Sequence, residues 1–191
     1  MKLLLTRHGQ SQWQTGTASE PDAPLSALGK LQAHRLGEYL ARRERLTRIV
    51  ASPLRRARQT AEIAALYLNL PVTFDADLRE FDNWDAANPP SSTTMWQPDA
   101  ATPLHPEYLA FCTRIQEALE RMIDGGVADR NILIVAHGGT IGTLLRLLLG
   151  APTMRIWTPN TALHSLRWME EFWLLRYTNN QEHLPQPLRS S

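Results

Sequence analysis

The apolar positions of this chain fall into two rhythms. Short unbroken runs, at residues 2–6 (KLLLT), 48–52 (RIVAS), 71–75 (PVTFD) and 131–136 (NILIVA), suit strands buried on both faces of a parallel sheet. Between them, apolar residues recur every three or four positions, as on one face of a helix. In 25–44 that face is Gly29, Ala33, Leu36 and Leu40; in 52–68 it is Leu54, Ala57, Ala61, Ala64 and Leu68. Ser52 and Pro53 read as the N-cap and first position of the second helix. Further helices are expected over 106–124 and 140–150, the latter ending at Gly150. Residues 162–177 alternate like two strands around a turn at Glu170–Glu171.

Strands alternating with helices predict an α/β fold, a three-layer α/β/α sandwich on a mostly parallel central sheet. The 191 residues suit a single domain, 1–191, with 78–105 an irregular segment and 179–191 a tail. An irregular stretch as long as 78–105, carrying Trp84 and Trp96, is usually functional. Its tryptophans either cap an organic group or pack the loop onto the sheet.

Composition narrows the function classes. A net charge of +1 gives no global field toward nucleic acid or anionic membrane. The only cysteine, Cys112, sits in a helical pattern and suits a small core residue better than a catalytic thiol; with no internal disulfide possible, a reducing compartment fits. The opening reads as a strand, not a secretory leader, and no apolar run approaches the ~18 residues of a membrane span. A cytoplasmic protein is expected.

The charge is unevenly spread: residues 42–58 hold seven arginines and one glutamate. Arg58 can pair with Glu62, one helical turn on, but Arg55 and Arg56 lack such a partner and oppose the dipole of the helix they open. An arginine beside a helix N-terminus is a ready anion site, and Arg7 arrives at the same sheet edge from the first strand. Two strands then end alike, in His8-Gly9 and His137-Gly138. Glycine lets the chain turn and lets a ligand come close. In parallel sheets, ligands bind beyond the carboxyl ends of the strands, where both pairs fall. A metal held by the two histidines and Glu80 is the rival arrangement, but Arg7 and Arg56 would repel the ion. No metal and no cofactor are expected. An imidazole facing a phosphate held by arginines is a nucleophile, kept neutral by those cations. Phosphoryl transfer also needs a proton donor for the leaving oxygen. Glu80 is the first choice, ahead of Asp82 and Asp85.

These blocks together, Arg7-His8-Gly9, SPLRRARQTA at 52–61, LRE at 78–80 and VAHGG at 135–139, resemble the histidine phosphatase superfamily, phosphoglycerate-mutase-like branch. PLSALGKLQA after the first loop and NNQEHL near residue 180 extend the resemblance over nearly the whole chain. The resemblance implies that His8 is the phosphorylated nucleophile, that Arg7 and Arg56 clamp the phosphate, and that His137 completes the pocket. It makes Glu80 acid and then base, and puts Gln14, with Gly9 and Gly138, among the substrate contacts. Gln10 stands where relatives often have glutamate, and LHPEYL replaces their Gly-Glu-Ser. The chain is also short for a mutase. The last two differences favour hydrolysis over mutase activity, and a pocket walled by aromatics suits a small phosphorylated metabolite. A mutase, or a binding module without turnover, are the alternatives. Trp13, residues 82–105 and the loop at Asn160 are expected to complete the substrate side, and the C-terminal hairpin offers an edge for a homodimer.

Overall fold

The computed structural model describes residues 1–83, 104–123, 130–152 and 154–190. Six strands form one sheet: β1 (Lys2–Arg7), β2 (Arg48–Ala51), β3 (Val72–Phe74), β4 (Asn131–Ala136), β5 (Leu163–Trp168) and β6 (Trp173–Asn180). Their order is β3-β2-β4-β1-β5-β6. The first four run parallel, and the β5–β6 hairpin adds antiparallel to β1. Among the described residues, four α-helices cover the sheet: α1 (Ala27–Arg43), α2 (Arg55–Leu68), α3 (Pro106–Ile123) and α4 (Gly138–Leu149).

The unbroken apolar runs explain the layering. In a strand, alternate side chains face opposite ways. Leu3 and Leu5 therefore pack with Ile132 and Ile134 under α3 and α4, where Ile115, Ile141 and Leu144 meet them. Leu4, Ile49 and Leu133 turn the other way, onto Leu36 and Leu40 of α1 and Ala57 and Ala61 of α2. β1 and β4, at the centre of the sheet, are apolar at successive positions because both of their faces are buried. Among the described residues, no helix is long and apolar enough to cross a membrane.

Several local expectations change. Ser52 does not cap the second helix: α2 begins at Arg55, with Leu54 at the N-cap position and no side-chain cap from it. Asp22 serves that end instead, its Oδ1 accepting the Arg55 backbone N–H at 2.7 Å. The fourth helix starts at Gly138, directly after His137, without an intervening turn. The third strand is a short edge of three residues. The tail after β6 is irregular and packs onto the body of the protein. Leu184 is buried, and Ser190 is bonded to Gln32 and Asn160.

Candidate active site

The parallel register brings the strand ends level. Arg7 pairs with Ala136 and Ala51 with Val135, so His8, Ser52 and His137 leave the sheet side by side. The His8 and His137 rings lie 5.2 Å apart between centroids. Both are buried.

Hydrogen-bond partners fix the state of His8. Its Nδ1 lies 2.7 Å from the Gly9 carbonyl, which can only accept, so Nδ1 carries the proton. Its Nε2 lies 3.1 Å from Nε of Arg56, which can only donate, so Nε2 holds a lone pair. Burial pushes the His8 pKa well below the ordinary histidine value, and Arg56 and Arg7 push it further, against the Gly9 bond. The result is a neutral ring with its unprotonated nitrogen facing a guanidinium.

Ser52 gains a different role from the one its sequence suggested. Its Oγ accepts from the Leu54 N–H at 3.3 Å and lies 2.8 Å from Nε2 of His137. The hydroxyl can donate to that nitrogen or accept from it, so the bond suits either neutral tautomer of His137. Its Nδ1 is buried and has no hydrogen-bond partner among the described residues. Burial, then His8, Arg56 and Arg7, hold the His137 pKa well below the ordinary value.

Of the three arginines in question, Arg55 is neutralised by Glu20 at 2.7 Å. Arg56 turns inward to His8 and to the Pro21 carbonyl. Arg7 donates to the Thr158 carbonyl at 2.7 Å, while its buried Nε has no hydrogen-bond partner among the described residues. Burial lowers the pKa of both Arg7 and Arg56, and Glu80 raises it. Glu80 sits at the N-terminus of α4 and accepts from the N–H groups of Gly139 and Thr140, each at 3.1 Å, and from its neighbour Phe81. Burial pushes its carboxyl up, against those three N–H groups and Arg56, which favour the charged form.

The two glycines have different reasons to be there. A Cβ on Gly9 would lie 2.5 Å from the Gly29 carbonyl oxygen, so Gly9 lets the loop close on the backbone of α1; the space is not opened toward a ligand. A Cβ on Gly138 would meet only Arg7, at 3.9 Å, and Gly138 lines an open cavity of about 480 Å³.

That cavity begins at Arg7 and Glu80 and runs along α4. Phe81, Tyr108, Phe111 and Trp157 wall it, and Arg146 sits among them. Arg146 donates to Thr143 Oγ1 at 2.9 Å, to the Met154 carbonyl at 3.2 Å and to the Tyr108 hydroxyl, all neutral acceptors. Sequence reasoning missed Tyr108 and Arg146. A lone cation in the apolar run TIGTLLRLLLG was the available signal for the second. Trp13 does not line this cavity and is 56% exposed. Gln14 bonds to the Ser11 backbone and to Asn160, whose Nδ2 holds the His8 carbonyl at 2.9 Å. Trp84, Asp85 and Trp96 lie outside the described residues. Asp82 is exposed and Glu80 is not, which separates the two carboxylates. Among the described residues, no three of His, Cys, Asp and Glu group as metal ligands.

The model of the histidine phosphatase superfamily (branch 1) matches residues 3–181. The chain belongs to that superfamily. The Bacillus subtilis "Uncharacterized phosphatase PhoE" is 34% identical over 187 residues, covering 95% of this chain and 96% of that protein. The Citrobacter koseri "Probable phosphoglycerate mutase GpmB" is 30% identical, covering 91% and 88%. An Entamoeba histolytica phosphoserine phosphatase, solved with 3-phosphoglyceric acid, superposes with a TM-score of 0.76 over 96% of this chain and 99% of that one. At 21% identity, that likeness concerns the fold. It is the three-layer architecture expected from the strand and helix pattern. The chain is an enzyme of the histidine phosphatase superfamily, and relatives named as phosphatases are among those it resembles.

Proposed function

We propose that the protein hydrolyses a small phosphomonoester through a phosphohistidine on His8, without a metal. The observation that carries this reading is the His8 ring: neutral, protonated on Nδ1, with the Nε2 lone pair turned to Arg56. A phosphate entering between Arg7, Arg56 and His137 takes over the Arg56 donor and meets that lone pair. Nε2 bonds to phosphorus as the ester P–O bond breaks. The departing oxygen takes the proton of Glu80, whose raised pKa favours the acid form. Glu80, now a carboxylate, removes a proton from water, whose oxygen attacks phosphorus as the P–N bond breaks. Inorganic phosphate leaves and His8 is again neutral. Arg7, Arg56 and the ring of His137 stabilise the charge on the transferring group throughout.

The alcohol part of the ester lies in the cavity beyond Glu80. Phe81, Phe111 and Trp157 suit an apolar body, and Arg146, ringed by neutral acceptors, suits a second anionic group on the substrate. Phosphoglycerate, in the name of the GpmB relative, is a molecule of that kind. The same relative gives the alternative, transfer of the phosphoryl group to a second hydroxyl.

The test is phosphate release from a neutral aryl phosphate and from phosphoglycerate, with and without chelator. Release from wild type but not from His8→Ala, unchanged by chelator, is expected. Release that survives the substitution, or that the chelator abolishes, overturns the mechanism. Isomerised phosphoglycerate in place of free phosphate selects the mutase.

A further inference from the structure

The tautomer of His8 depends on one carbonyl, that of Gly9. That carbonyl belongs to the same rigid peptide plane as the N–H of Gln10. The Gln10 N–H donates to Oε1 of Gln32 at 2.8 Å. Gln32 is a polar residue on the buried face of α1 and is completely enclosed. Its Nε2 donates to the Leu188 carbonyl at 2.7 Å and to Ser190 Oγ at 2.8 Å. These partners admit one orientation of the amide: an N–H must face an acceptor, and the Leu188 carbonyl must face a donor. Ser190 Oγ in turn donates to Asn160 Oδ1 at 3.0 Å, and Asn160 Nδ2 donates to the His8 carbonyl at 2.9 Å. The chain of bonds is closed. It runs from Gln10 through Gln32, Ser190 and Asn160 back to His8, and it encloses the peptide that reads the nucleophile's proton.

We propose that Gln32, oriented by the Leu188–Ser190 segment, is a positioning residue for the nucleophile. It fixes the Gly9–Gln10 peptide plane, which keeps the proton of His8 on Nδ1 and the lone pair on Nε2. This rests on His8 acting as the nucleophile, but not on which ester is hydrolysed. Gln32 touches neither the arginines nor the cavity, so its effect falls on the chemical step and not on phosphate binding. Polarisation along the chain acts in the same direction, because a peptide whose N–H is bonded has a better accepting carbonyl. Thr60 holds the other side of the loop through the Gly9 N–H at 3.0 Å, so the loop stays seated when Gln32 is changed.

The experiment uses the full chain and three variants, Gln32→Met, Ser190→Ala and Ser190→Thr. Each is measured for kcat, KM and competitive inhibition by inorganic phosphate, with an aryl phosphate as substrate, and by ring-15N NMR of the histidines. Gln32→Met should lower kcat by about 10–100-fold, the range that small misplacement of a reacting group produces. KM and the phosphate inhibition constant should stay within about twofold, because the arginine clamp that sets them is intact. Its His8 should show both neutral tautomers where the wild type shows the Nδ1–H form alone. Ser190→Ala should lower kcat less, and Ser190→Thr, which keeps the hydroxyl, should restore it. A folded Gln32→Met protein with wild-type kcat and a pure Nδ1–H tautomer overturns the proposal. If Gln32→Met does not fold, the Ser190 pair decides it, and equal kcat in the alanine and threonine variants is the contrary result. If the wild type releases no phosphate, the phosphatase reading fails. The NMR comparison still decides the role of Gln32.

Discussion

His164 gives a stability prediction whose size follows from the structure. It lies on β5 opposite Leu5, is fully buried, and neither ring nitrogen has a hydrogen-bond partner among the described residues. Burial alone lowers its pKa from 6.5 to about 4. The sign follows from comparing the two states. Above pH 6.5 the ring is neutral both folded and unfolded, so the shift has no effect there. Between 6.5 and about 4, the unfolded chain takes a proton that the folded chain refuses, and stability is lost as pH falls. At about 1.36 kcal/mol for each pH unit, going from pH 7 to pH 5 costs about 2 kcal/mol from this one ring. His164→Leu removes that loss and the two unpartnered nitrogens with it. The variant should be at least as stable as wild type at pH 7 and about 2 kcal/mol less sensitive to acidification to pH 5. In urea titrations, with slopes of about 1–3 kcal/mol per molar, the acid-induced fall in midpoint should shrink by roughly 0.7–2 M. His183, which burial also lowers to about 4, remains in the variant, so some acid sensitivity should persist. An identical pH dependence in variant and wild type refutes the reasoning, because it means that the buried ring takes its proton without unfolding.

Glu80→Gln removes the proton donor and should lower kcat/KM by about 10²–10⁴-fold on esters of poorly acidic alcohols and less on aryl esters, read by phosphate release across a leaving-group series, while kcat on aryl esters falls with the stalled hydrolysis of the phosphohistidine. In the wild type, the raised Glu80 pKa predicts that kcat falls as pH rises through it, and that this limb disappears in the variant. Arg146→Met should raise KM about tenfold or more for phosphomonoesters with a carboxylate and leave a neutral aryl phosphate unchanged; equal effects on both would remove Arg146 from substrate selection. Gly9→Ala forces a Cβ against the Gly29 carbonyl, backbone against backbone, and should cost about 1–3 kcal/mol in denaturant titrations together with a loss of kcat.

What could be read from the sequence was what local order encodes. The run Leu3-Leu4-Leu5 has no polar face, so a strand buried on both sides follows from it alone. His8 and His137 stand out because each ends such a run and precedes glycine, and the register that brings them together follows from a parallel sheet. Contacts across large sequence distance left weaker traces. Ser52-Pro53 has the form of a cap, yet the capping anion is Asp22 from a distant loop, and the Ser52 hydroxyl is spent on His137. Nothing near residue 52 encodes either partner. Gln32 left a faint trace: it falls between Gly29 and Leu36 on the apolar side of α1, where a polar residue must find a bond or be costly. Its partners at 188 and 190 are known only from the folded chain. Gly9, directly after His8, reads locally as room for a ligand, but the neighbour that demands a glycine there is Gly29 on α1.

The central claim is that His8 carries the phosphoryl group in the course of turnover. Rapid acid-free quenching of the enzyme with a labelled phosphomonoester, followed by peptide mapping, tests it directly. The account predicts label on the peptide containing Thr6–Gly9, stable in base, released in acid, absent from His8→Ala, and accumulating in Glu80→Gln when an aryl ester bypasses the acid step and hydrolysis stalls. Turnover with no label on His8 under conditions that trap it, or label on any other residue, contradicts it.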